Sequence, residues 1–368
     1  MQVSFPIIGK VWLTTTHNAT AALLKDNKRF TVRKTDADTV AGMRWWMPQT
    51  IRLLADNMLT TDDPEHRRLR KLVDQAFARR AMVGLQGRIT EICEELLPDL
   101  GAETDVLNGY CREVPLRVIA DLLGIDRDRR EVFSVLTAPL SQMSGPLSIL
   151  RLIRPFGPLG KLVHFVREEI KAAKEQPDCD GLISALVAAE ADGDRLSGRE
   201  LVAMIFLLLV AGHETTTHML AGSIIALARN PEPAAMLRKD ESLDAMATEE
   251  LLRFVSAVQF SKPRYVQRAG SFYGADLAKG DFIMAGLAAA NHDPGQFDDP
   301  SRLDVTRKPN QHLEFGTGIH FCLGFQLARL EIASAVRVLL EKRGVPVLGE
   351  VSYAGRLGMR AVSRLTLR

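Results

Sequence analysis

The chain has 368 residues, of which 46% are hydrophobic and 25% are charged, and its formal net charge is +2. This composition is typical of a globular protein and excludes a largely disordered or fibrous chain. The small net charge gives no general attraction to nucleic acid or to a membrane surface. Aromatic residues make up only 6% of the chain, which argues against base stacking on a single strand.

The cysteines and the first residues indicate the compartment. The chain has four scattered cysteines without a close pair: Cys93, Cys111, Cys179 and Cys322. They form no disulfide framework and fit a reducing compartment. Residues 1–13 lack the basic region and apolar core of a signal peptide. The longest apolar run, at 201–211, is shorter than the roughly 18 residues that span a bilayer. We expect a soluble, cytoplasmic protein without membrane or nucleic-acid partners.

Helical periodicity dominates the chain, which has no internal repeat. A strand-like segment at 11–15 precedes a short helix at 19–24, and Asp63-Pro64-Glu65 begins a second helix. Further helices are predicted at 82–98, 108–123, 128–139, 159–175, 180–190, 197–228, 232–239, 242–254 and 324–343. Short strands are predicted near the C-terminus and at 263–267, 271–273, 282–285 and 350–353. The pattern indicates one mainly α domain over residues 1–368.

The predicted helix that begins at Ser197 changes character along its length. Ser197 and Glu200 form a capping box, and residues 201–211 are apolar on every face, which predicts a buried helix. The polar stretch that follows contains Glu214 and Thr215, and an acid next to a hydroxyl is costly in a core unless both are satisfied. Two interpretations are open here: a satisfied polar bulge, or a groove in which oxygen binds next to a proton donor.

A glycine-rich loop precedes the last predicted helix, and its sequence is Phe315-Gly316-Thr317-Gly318-Ile319-His320-Phe321-Cys322-Leu323-Gly324. Its glycines allow tight turns and close approach to a flat ligand. Amides at the start of the next helix would stabilise a thiolate, so Cys322 is a candidate ligand of haem iron. The loop lacks the second ligand pair of a zinc site. Taken alone, it is equally compatible with a buried structural thiol.

The loop resembles the haem-binding loop of the cytochrome P450 family, Phe-x-x-Gly-x-His-x-Cys-x-Gly, at every defined position. Residues 211–215, Ala-Gly-His-Glu-Thr, are similar to the family's oxygen-activation motif. Glu250 and Arg253 lie between the two motifs, where the family carries a structural ion pair. Residues 297–300, Phe-Asp-Asp-Pro, resemble the stretch that precedes the family's cysteine loop. The order of these motifs makes the chain similar to the soluble bacterial type.

The resemblance implies a cytochrome P450-like single-domain fold, mainly α with small β-sheets. Haem b then lies between the long central helix and the cysteine loop, with Cys322 as the iron ligand. The other loop residues implied at the cofactor are Phe315, Gly316, Gly318 and Gly324. The residues implied at the oxygen site are Ala211, Gly212, Glu214 and Thr215. Of these, Thr215 is assigned to hold dioxygen and pass on protons, and Glu214 to relay them. Four basic residues are implied as partners of the haem propionates: His66, Arg70, Arg264 and His320. Taken singly, each is more simply explained as a base that faces solvent.

The activity implied by the resemblance is that of a haem-thiolate monooxygenase. It would insert one oxygen atom from O2 into a hydrophobic small molecule by hydroxylation or epoxidation, with electrons from a separate ferredoxin and ferredoxin reductase. A peroxide-driven peroxygenase is one alternative, although it would not need Glu214 and Thr215. A non-catalytic haem-binding sensor is the other. We expect a monomer.

The resemblance also leads to expectations about the N-terminus, a group of basic residues and the walls of the substrate pocket. Family members usually have more residues before the first strand, so the N-terminus is short for the family. The remaining bases near residue 70 form either a solvated face or a docking patch for an acidic electron donor: Arg67, Arg68, Lys71, Arg79 and Arg80. Pocket walls are expected at 38–58, 138–165, 205–211, 257–261 and 354–359. Their side chains are largely apolar and indicate a hydrophobic substrate: Trp45, Trp46, Met47, Leu140, Met143, Phe206, Val210, Val258 and Phe260.

Overall fold

The computed structural model describes residues 1–5, 9–34, 39–40, 57–79, 85–97, 104–141, 157–176, 180–191 and 193–368. The α-helices are His17–Lys25, Glu65–Arg79, Leu85–Leu96, Glu113–Leu123, Arg130–Ser141, Pro158–Glu175, Leu182–Ala188, Gly198–Arg229, Pro231–Lys239, Asp244–Val255, Leu287–Asn291 and Phe325–Arg343. Single turns of other helix types lie at Met58–Thr60, Leu107–Cys111, Arg127–Arg129 and Glu241–Leu243. The predicted class, mainly α with small sheets, is confirmed.

The strands are short except for one hairpin. They are Gln2–Phe5, Gly9–Leu13, Phe30–Thr31, Arg33–Lys34, Thr39–Val40, Thr104–Asp105, Glu190–Ala191, Asp194–Arg195, Arg264–Val266, Gly270–Phe272, Ala275–Leu277, Phe282–Met284, Leu348–Arg356 and Met359–Leu367. Each predicted strand after residue 260 corresponds to one of these. The predicted helices from residue 82 onward agree with the observed ones to within a few residues, as is usual for helix ends.

The described chain packs as two compact units. The first comprises Met1–Met43, Cys93–Cys111 and Thr215–Arg368, and the second comprises Arg44–Ile92 and Arg112–Glu214. The expectation of one domain over residues 1–368 stays a prediction.

The first unit is built on a five-stranded sheet. Its strand order is Gln2–Phe5, Gly9–Leu13, Phe282–Met284, Arg264–Val266 and Phe30–Thr31. A cluster of buried apolar side chains packs beside this sheet, and its members include Leu23, Leu24, Phe30, Val266, Ile283 and Leu313. Burial of these side chains favours the folded state by about 25 cal/mol for each Å² removed from water. The cluster ends at Leu313, immediately before the glycine-rich loop, and so fixes the point where that loop begins.

The second unit is a set of packed helices. Helix Leu182–Ala188 packs against both Glu65–Arg79 and Pro158–Glu175, and the latter also packs against Arg130–Ser141. The guanidinium of Arg129 lies 4.6 Å from the ring centre of Phe165 and pairs with Glu168 at 2.9 Å. These contacts link Arg129, which directly precedes helix Arg130–Ser141, to helix Pro158–Glu175.

The long helix, Gly198–Arg229, has 32 residues and extends for about 48 Å at 1.5 Å per residue. The predicted capping box is confirmed, because the Glu200 carboxylate accepts from the Ser197 amide at 2.6 Å and the Ser197 hydroxyl accepts from the Glu200 amide at 3.3 Å. The helix is long and apolar enough to cross a bilayer, but 67% of its most apolar window is buried. It is therefore a core helix, as its uniform apolar pattern predicted.

Candidate active site

The cysteine loop is held in shape by its own backbone. The Gly316 amide donates to the Leu313 carbonyl at 2.9 Å, and the Cys322 amide donates to the Phe315 carbonyl at 3.0 Å. Gly318 has a φ of 78°, in the left-handed region that favours glycine. A Cβ at Gly318 would lie 2.4 Å from the carbonyl oxygen of Leu24, so no larger residue fits there without moving the backbone. Local geometry thus brings Phe315 and Cys322 together.

Aromatic rings surround the turn that carries Cys322. Phe315 lies 6.5 Å from Phe321 and 6.4 Å from Phe325, and the latter two rings are 5.1 Å apart. The Arg329 guanidinium lies 4.8 Å from the centre of the Phe315 ring. Cys322 itself is half-buried, and the next helix begins at Phe325 with Gly324 as its N-cap. The amides at this helix start favour a negatively charged sulfur.

These residues fit a cofactor whose metal is bound by one sulfur atom of the protein. Among the described residues, no group of three or more His, Cys, Asp or Glu side chains could hold a bare metal ion. Apart from atoms of the glycine and of its neighbours in the chain, no described atom lies within 4 Å of the position that a Cβ would take at Gly316 or at Gly324. Space next to the loop, aromatic packing behind it and a single thiol together suit a flat macrocycle whose iron takes one protein ligand.

Arg264 supplies a cation within the first unit. Its side chain is almost completely buried, although it stands in a strand at the edge of the apolar cluster. One guanidinium nitrogen, Nη1, lies 3.4 Å from the carbonyl oxygens of Leu23, Leu24 and Phe30. A buried guanidinium held by backbone carbonyls stays charged and is suited to an anionic ligand group.

Glu250 and Arg253 form a fully buried pair, with both side chains 0% exposed. Arg253 Nε and Nη2 each donate to a Glu250 oxygen at 2.8 Å, in the bidentate geometry that makes such pairs strong. Arg253 Nη1 also donates to the carbonyls of Asn291 and Pro300. The pair therefore fixes the chain that leads toward the cysteine loop.

The sequence did not reveal three further members of this network. Arg307 Nε lies 3.1 Å from Glu250 Oε2, and the Asn310 amide donates to the same oxygen at 3.0 Å. Asn291 accepts from the Leu313 amide at 2.6 Å and donates to the Ser256 hydroxyl at 2.9 Å. Arg307 and Asn310 lie 57 and 60 residues from Glu250 in sequence, so no local periodicity could have indicated these contacts.

A second network lies beside the loop. Arg329 Nη2 donates to Glu249 Oε2 at 2.7 Å, and His312 Nε2 lies 3.2 Å from the same oxygen. Although burial raises it, the hydrogen bonds from Arg329 and His312 lower the pKa of Glu249 to about 2. Glu249 is therefore ionised at neutral pH and holds Arg329 over the Phe315 ring.

In the middle of the long helix, one face is more exposed to solvent than the others. Leu207 and Thr215 are half-buried and Ala211 is exposed, whereas most of the residues between them are buried. These three positions are four residues apart and share one helix face. The helix is unbroken through Gly212, where a Cβ would meet only Ile119 at 3.6 Å. The more exposed face at Leu207, Ala211 and Thr215 is called the open strip below. It arises because neighbouring segments leave it uncovered, and not from a break in the helix.

The acidic and basic groups of this stretch are enclosed. Glu214 and His213 are buried. Burial, together with the positive charge of Arg112, lowers the pKa of His213 to about 4. The imidazole is therefore neutral at physiological pH and adds no positive charge next to Glu214.

The candidate residues are divided between the two units. The first unit contains Phe315, Gly316, Gly318, His320, Cys322, Gly324, Arg264, Thr215, Glu250 and Arg253. The second contains His66, Arg70, Ala211, Gly212 and Glu214. Within the second unit, the buried His66 has its Nδ1 3.7 Å from Asp63, and its pKa is lowered by burial. Arg70 Nε donates to Asp74 Oδ1 at 3.0 Å. The joint role of His66, Arg70, Arg264 and His320 stays a prediction.

The basic residues near position 70 differ from one another. Arg68 Nη1 lies 2.8 Å from Asp194, and Arg68 also pairs with Glu65 and Glu200. Hydrogen bonds, first from Glu65, raise its pKa above the usual arginine range. Arg67 is 81% exposed. Arg68 therefore makes its ion pairs within its own unit. The exposed Arg67 is the more accessible cation for contact with a partner protein.

Some predicted positions lie outside the described residues or side chains. They are Trp45, Trp46, Met47, Leu140, Met143, Arg79 and Arg80. Of the predicted pocket walls, 257–261 and 354–359 lie together, because Val258 and Met359 form an antiparallel bridge.

Comparison with known proteins identifies the chain's relatives. A family model described as cytochrome P450 matches residues 154–345. Cytochrome P450 107B1 of Saccharopolyspora erythraea is 41% identical over 291 residues, which cover 78% of this chain and 70% of that protein. Vitamin D(3) 25-hydroxylase of Pseudonocardia autotrophica is 39% identical, over 84% of this chain and 76% of the relative.

Solved structures agree with these relatives. The cytochrome P450 PksS of the Bacillus subtilis 168 bacillaene polyketide synthase superposes with a TM-score of 0.89 and 32% identity, covering 100% of this chain and 92% of that one. Members of this family bind haem through a cysteine thiolate and act as oxidoreductases. The chain belongs to the cytochrome P450 family and is a monooxygenase of its soluble bacterial type.

Proposed function

We propose that Cys322 is the thiolate ligand of haem b and that the protein hydroxylates or epoxidises a hydrophobic small molecule. The observation that carries this proposal is the geometry of the loop. Its Cys322 amide is tied to the Phe315 carbonyl, and its thiol stands before a helix start in an aromatic surround. When bound there, the haem would supply oxygen activation, and the cysteine would supply the electron density that favours O–O cleavage.

Glu214 and Thr215 are the proposed proton carriers. Thr215 stands on the open strip of the long helix, where its hydroxyl can accept and donate a hydrogen bond to a bound ligand. Glu214 is buried one residue earlier and can hold a proton for transfer. Ala211 has a small side chain and leaves room on this strip, and Gly212 beside it has no side chain. The protein would thus deliver protons at one place while keeping bulk water away.

The cationic partners of the haem carboxylates are proposed to be Arg264, His320, His66 and Arg70. Arg264 supports this role because it is buried, charged and held by backbone carbonyls. His66 and Arg70 stand one turn apart on helix Glu65–Arg79 and so share a face.

The names of relatives and the apolar wall segments support the proposal of a hydrophobic substrate. One relative is a vitamin D(3) hydroxylase, and one structural neighbour belongs to a polyketide synthase system. Both names point to large, hydrophobic molecules, which suit the half-buried Val258 and Phe260 of this chain. We place the protein in the cytoplasm as a monomer that receives electrons from a ferredoxin and its reductase. Exposed Arg67 and Lys71 are the candidate contacts for that acidic donor.

The ligand assignment is tested by Cys322→Ser. A serine hydroxyl is a poor anionic ligand, so the long-wavelength Soret band of the reduced carbon monoxide complex is expected to disappear. Cys93→Ala is the matched control, because Cys93 is a buried cysteine outside the loop and its loss is expected to leave the band in place. A band that survives Cys322→Ser would show that another side chain binds the iron.

A further inference from the structure

The segment 257–261 follows the helix that carries Glu250 and is supported from several directions. The helix ends at Ser256, which has a left-handed φ of 45°. The Gln259 amide then donates to the Gly358 carbonyl at 2.9 Å, and the Arg360 amide donates to the Ala257 carbonyl at 2.9 Å. Backbone hydrogen bonds therefore join the two wall segments, 257–261 and 354–359.

Glu314 connects this piece to the cysteine loop. Its Oε1 accepts from the Val258 amide at 3.0 Å, and its carboxyl also accepts from the Ala257 amide. Glu314 directly precedes Phe315, whose carbonyl binds the Cys322 amide. The Glu314 side chain therefore links the backbone of the cysteine loop directly to the backbone of the wall segment 257–258.

The base of this link is rigid. The Glu314 amide donates to His312 Nδ1 at 3.2 Å, so Nδ1 is the acceptor and the imidazole proton belongs on Nε2. That nitrogen then donates to Glu249, 3.2 Å away. Glu314 is consequently fixed at its backbone by a histidine that the ionised Glu249 holds in one tautomer.

The carboxyl end of Glu314 is enclosed. Among the described residues, its second oxygen, Oε2, is buried and has no hydrogen-bond partner. Burial raises the pKa of Glu314 to about 8, although the Val258 and Ala257 amides and the charge of Arg360 oppose the rise. The group is therefore an uncharged acceptor at neutral pH, which a glutamine can imitate.

We infer that Glu314 is a positioning residue that sets the distance between the cysteine loop and the wall segment 257–258, and through it the orientation of the substrate. The inference rests on the proposed function. A wall that carries Val258 and Phe260 contacts a substrate from one side, while the loop fixes the reactive centre. A displacement of either backbone relative to the other changes which substrate atom comes within reach.

The test uses four variants of the haem-loaded protein. Glu314→Ala removes the acceptor, Glu314→Asp withdraws it by about 1.5 Å, one carbon–carbon bond, and Glu314→Gln retains it. Glu341→Gln is the matched control, because Glu341 is an exposed glutamate on the helix after the loop and its loss is expected to change neither measurement. If Glu314→Ala fails to fold, Glu314→Asp answers the same question.

The first measurement is hydrogen exchange of a peptide that contains the Ala257 and Val258 amides. Exchange is expected to be about fivefold faster in Glu314→Ala and Glu314→Asp, as for the loss of one hydrogen bond, and unchanged in Glu314→Gln. This readout does not require catalysis. Equal exchange in the wild type and both the Ala and Asp variants would overturn the inference.

The second measurement compares imidazole with 4-phenylimidazole, each followed by its shift of the Soret band. Imidazole reports the iron site, whereas the phenyl group also contacts the pocket wall. The Kd for 4-phenylimidazole is expected to rise about fivefold in Glu314→Ala and Glu314→Asp, with the Kd for imidazole unchanged. Unchanged values for both ligands would overturn the inference, and equal rises for both would do the same because they indicate general damage. If instead the wild type binds neither ligand at a thiolate-ligated iron, the proposed function fails.

Discussion

The cysteine loop and the middle of the long helix differ in how their geometry is specified. The turn of the loop is defined by bonds over fewer than ten residues, such as Cys322 to Phe315 and Gly316 to Leu313. The helix is regular throughout, and its open strip at Ala211 and Thr215 exists only because distant chain segments leave it uncovered. The turn of the proposed ligand loop is thus largely encoded locally, whereas the proposed oxygen site depends on tertiary packing.

The largest expected effect comes from the buried pair that precedes the loop. Arg253→Met should lower the free energy of unfolding by about 3–5 kcal/mol, because Glu250 would remain as a buried charge with fewer partners. The measurement is chemical denaturation of the haem-loaded protein. Arg302→Met is the control, since Arg302 is 65% exposed and its ion pairs are worth about 0–1 kcal/mol. A loss below 1 kcal/mol for Arg253→Met would mean that the Glu250 network is not structural.

The next effect separates the local backbone geometry of the loop from its contact with the distant Leu24. Gly318→Ala should destabilise the loop by about 2–3 kcal/mol, because it combines a left-handed φ with a Cβ placed 2.4 Å from the Leu24 carbonyl oxygen. Gly316→Ala has a similar φ of 67° but open space, so we expect about 1 kcal/mol. Haem retention during thermal unfolding measures both. Equal losses would show that steric contact with Leu24 adds nothing.

The sequence predicted these two regions to different depths. Periodicity and the glycine pattern located nearly every helix and the whole cysteine loop, since both depend on neighbouring residues. Asn291, Arg307 and Glu314 were missed because each acts across 22 to 57 residues. The motif at 211–215 could be located from its polarity inside an apolar run. Its open face could not be predicted, because exposure along a buried helix depends on which other segments pack there.

The oxygen-site half of the comparison is tested by Thr215→Ala. The variant should retain its fold but convert about tenfold more of its consumed electrons into hydrogen peroxide, because it lacks the hydroxyl that we propose positions the protons. The measurement is peroxide released per reduced cofactor consumed. Thr216→Ala is the control, since Thr216 is buried on another face of the same helix. Coupling that stays at the wild-type level in both variants would remove Thr215 from the proton path.

The last expected effect is a dependence on pH that is small for each pH unit, and it lies at Glu331 on the helix after the loop. This carboxyl is 2% exposed, and burial raises its pKa to about 8. Between pH 4.5, where the unfolded group titrates, and pH 8, the folded protein keeps a proton that the unfolded chain has lost. The free energy of unfolding should therefore fall as pH rises through this window, by up to about 1.4 kcal/mol per pH unit from this group.

Glu331→Gln should remove that share of the slope and leave the melting temperature less dependent on pH between 5 and 8. Glu341→Gln, at an exposed position on the same helix, should leave the slope as it is in the wild type. Glu314 is subject to the same rise in pKa, so its share of the slope should persist in Glu331→Gln and be lost as well in the double variant with Glu314→Gln. Parallel pH profiles for the wild type and Glu331→Gln would mean that Glu331 does not keep its proton in the folded protein.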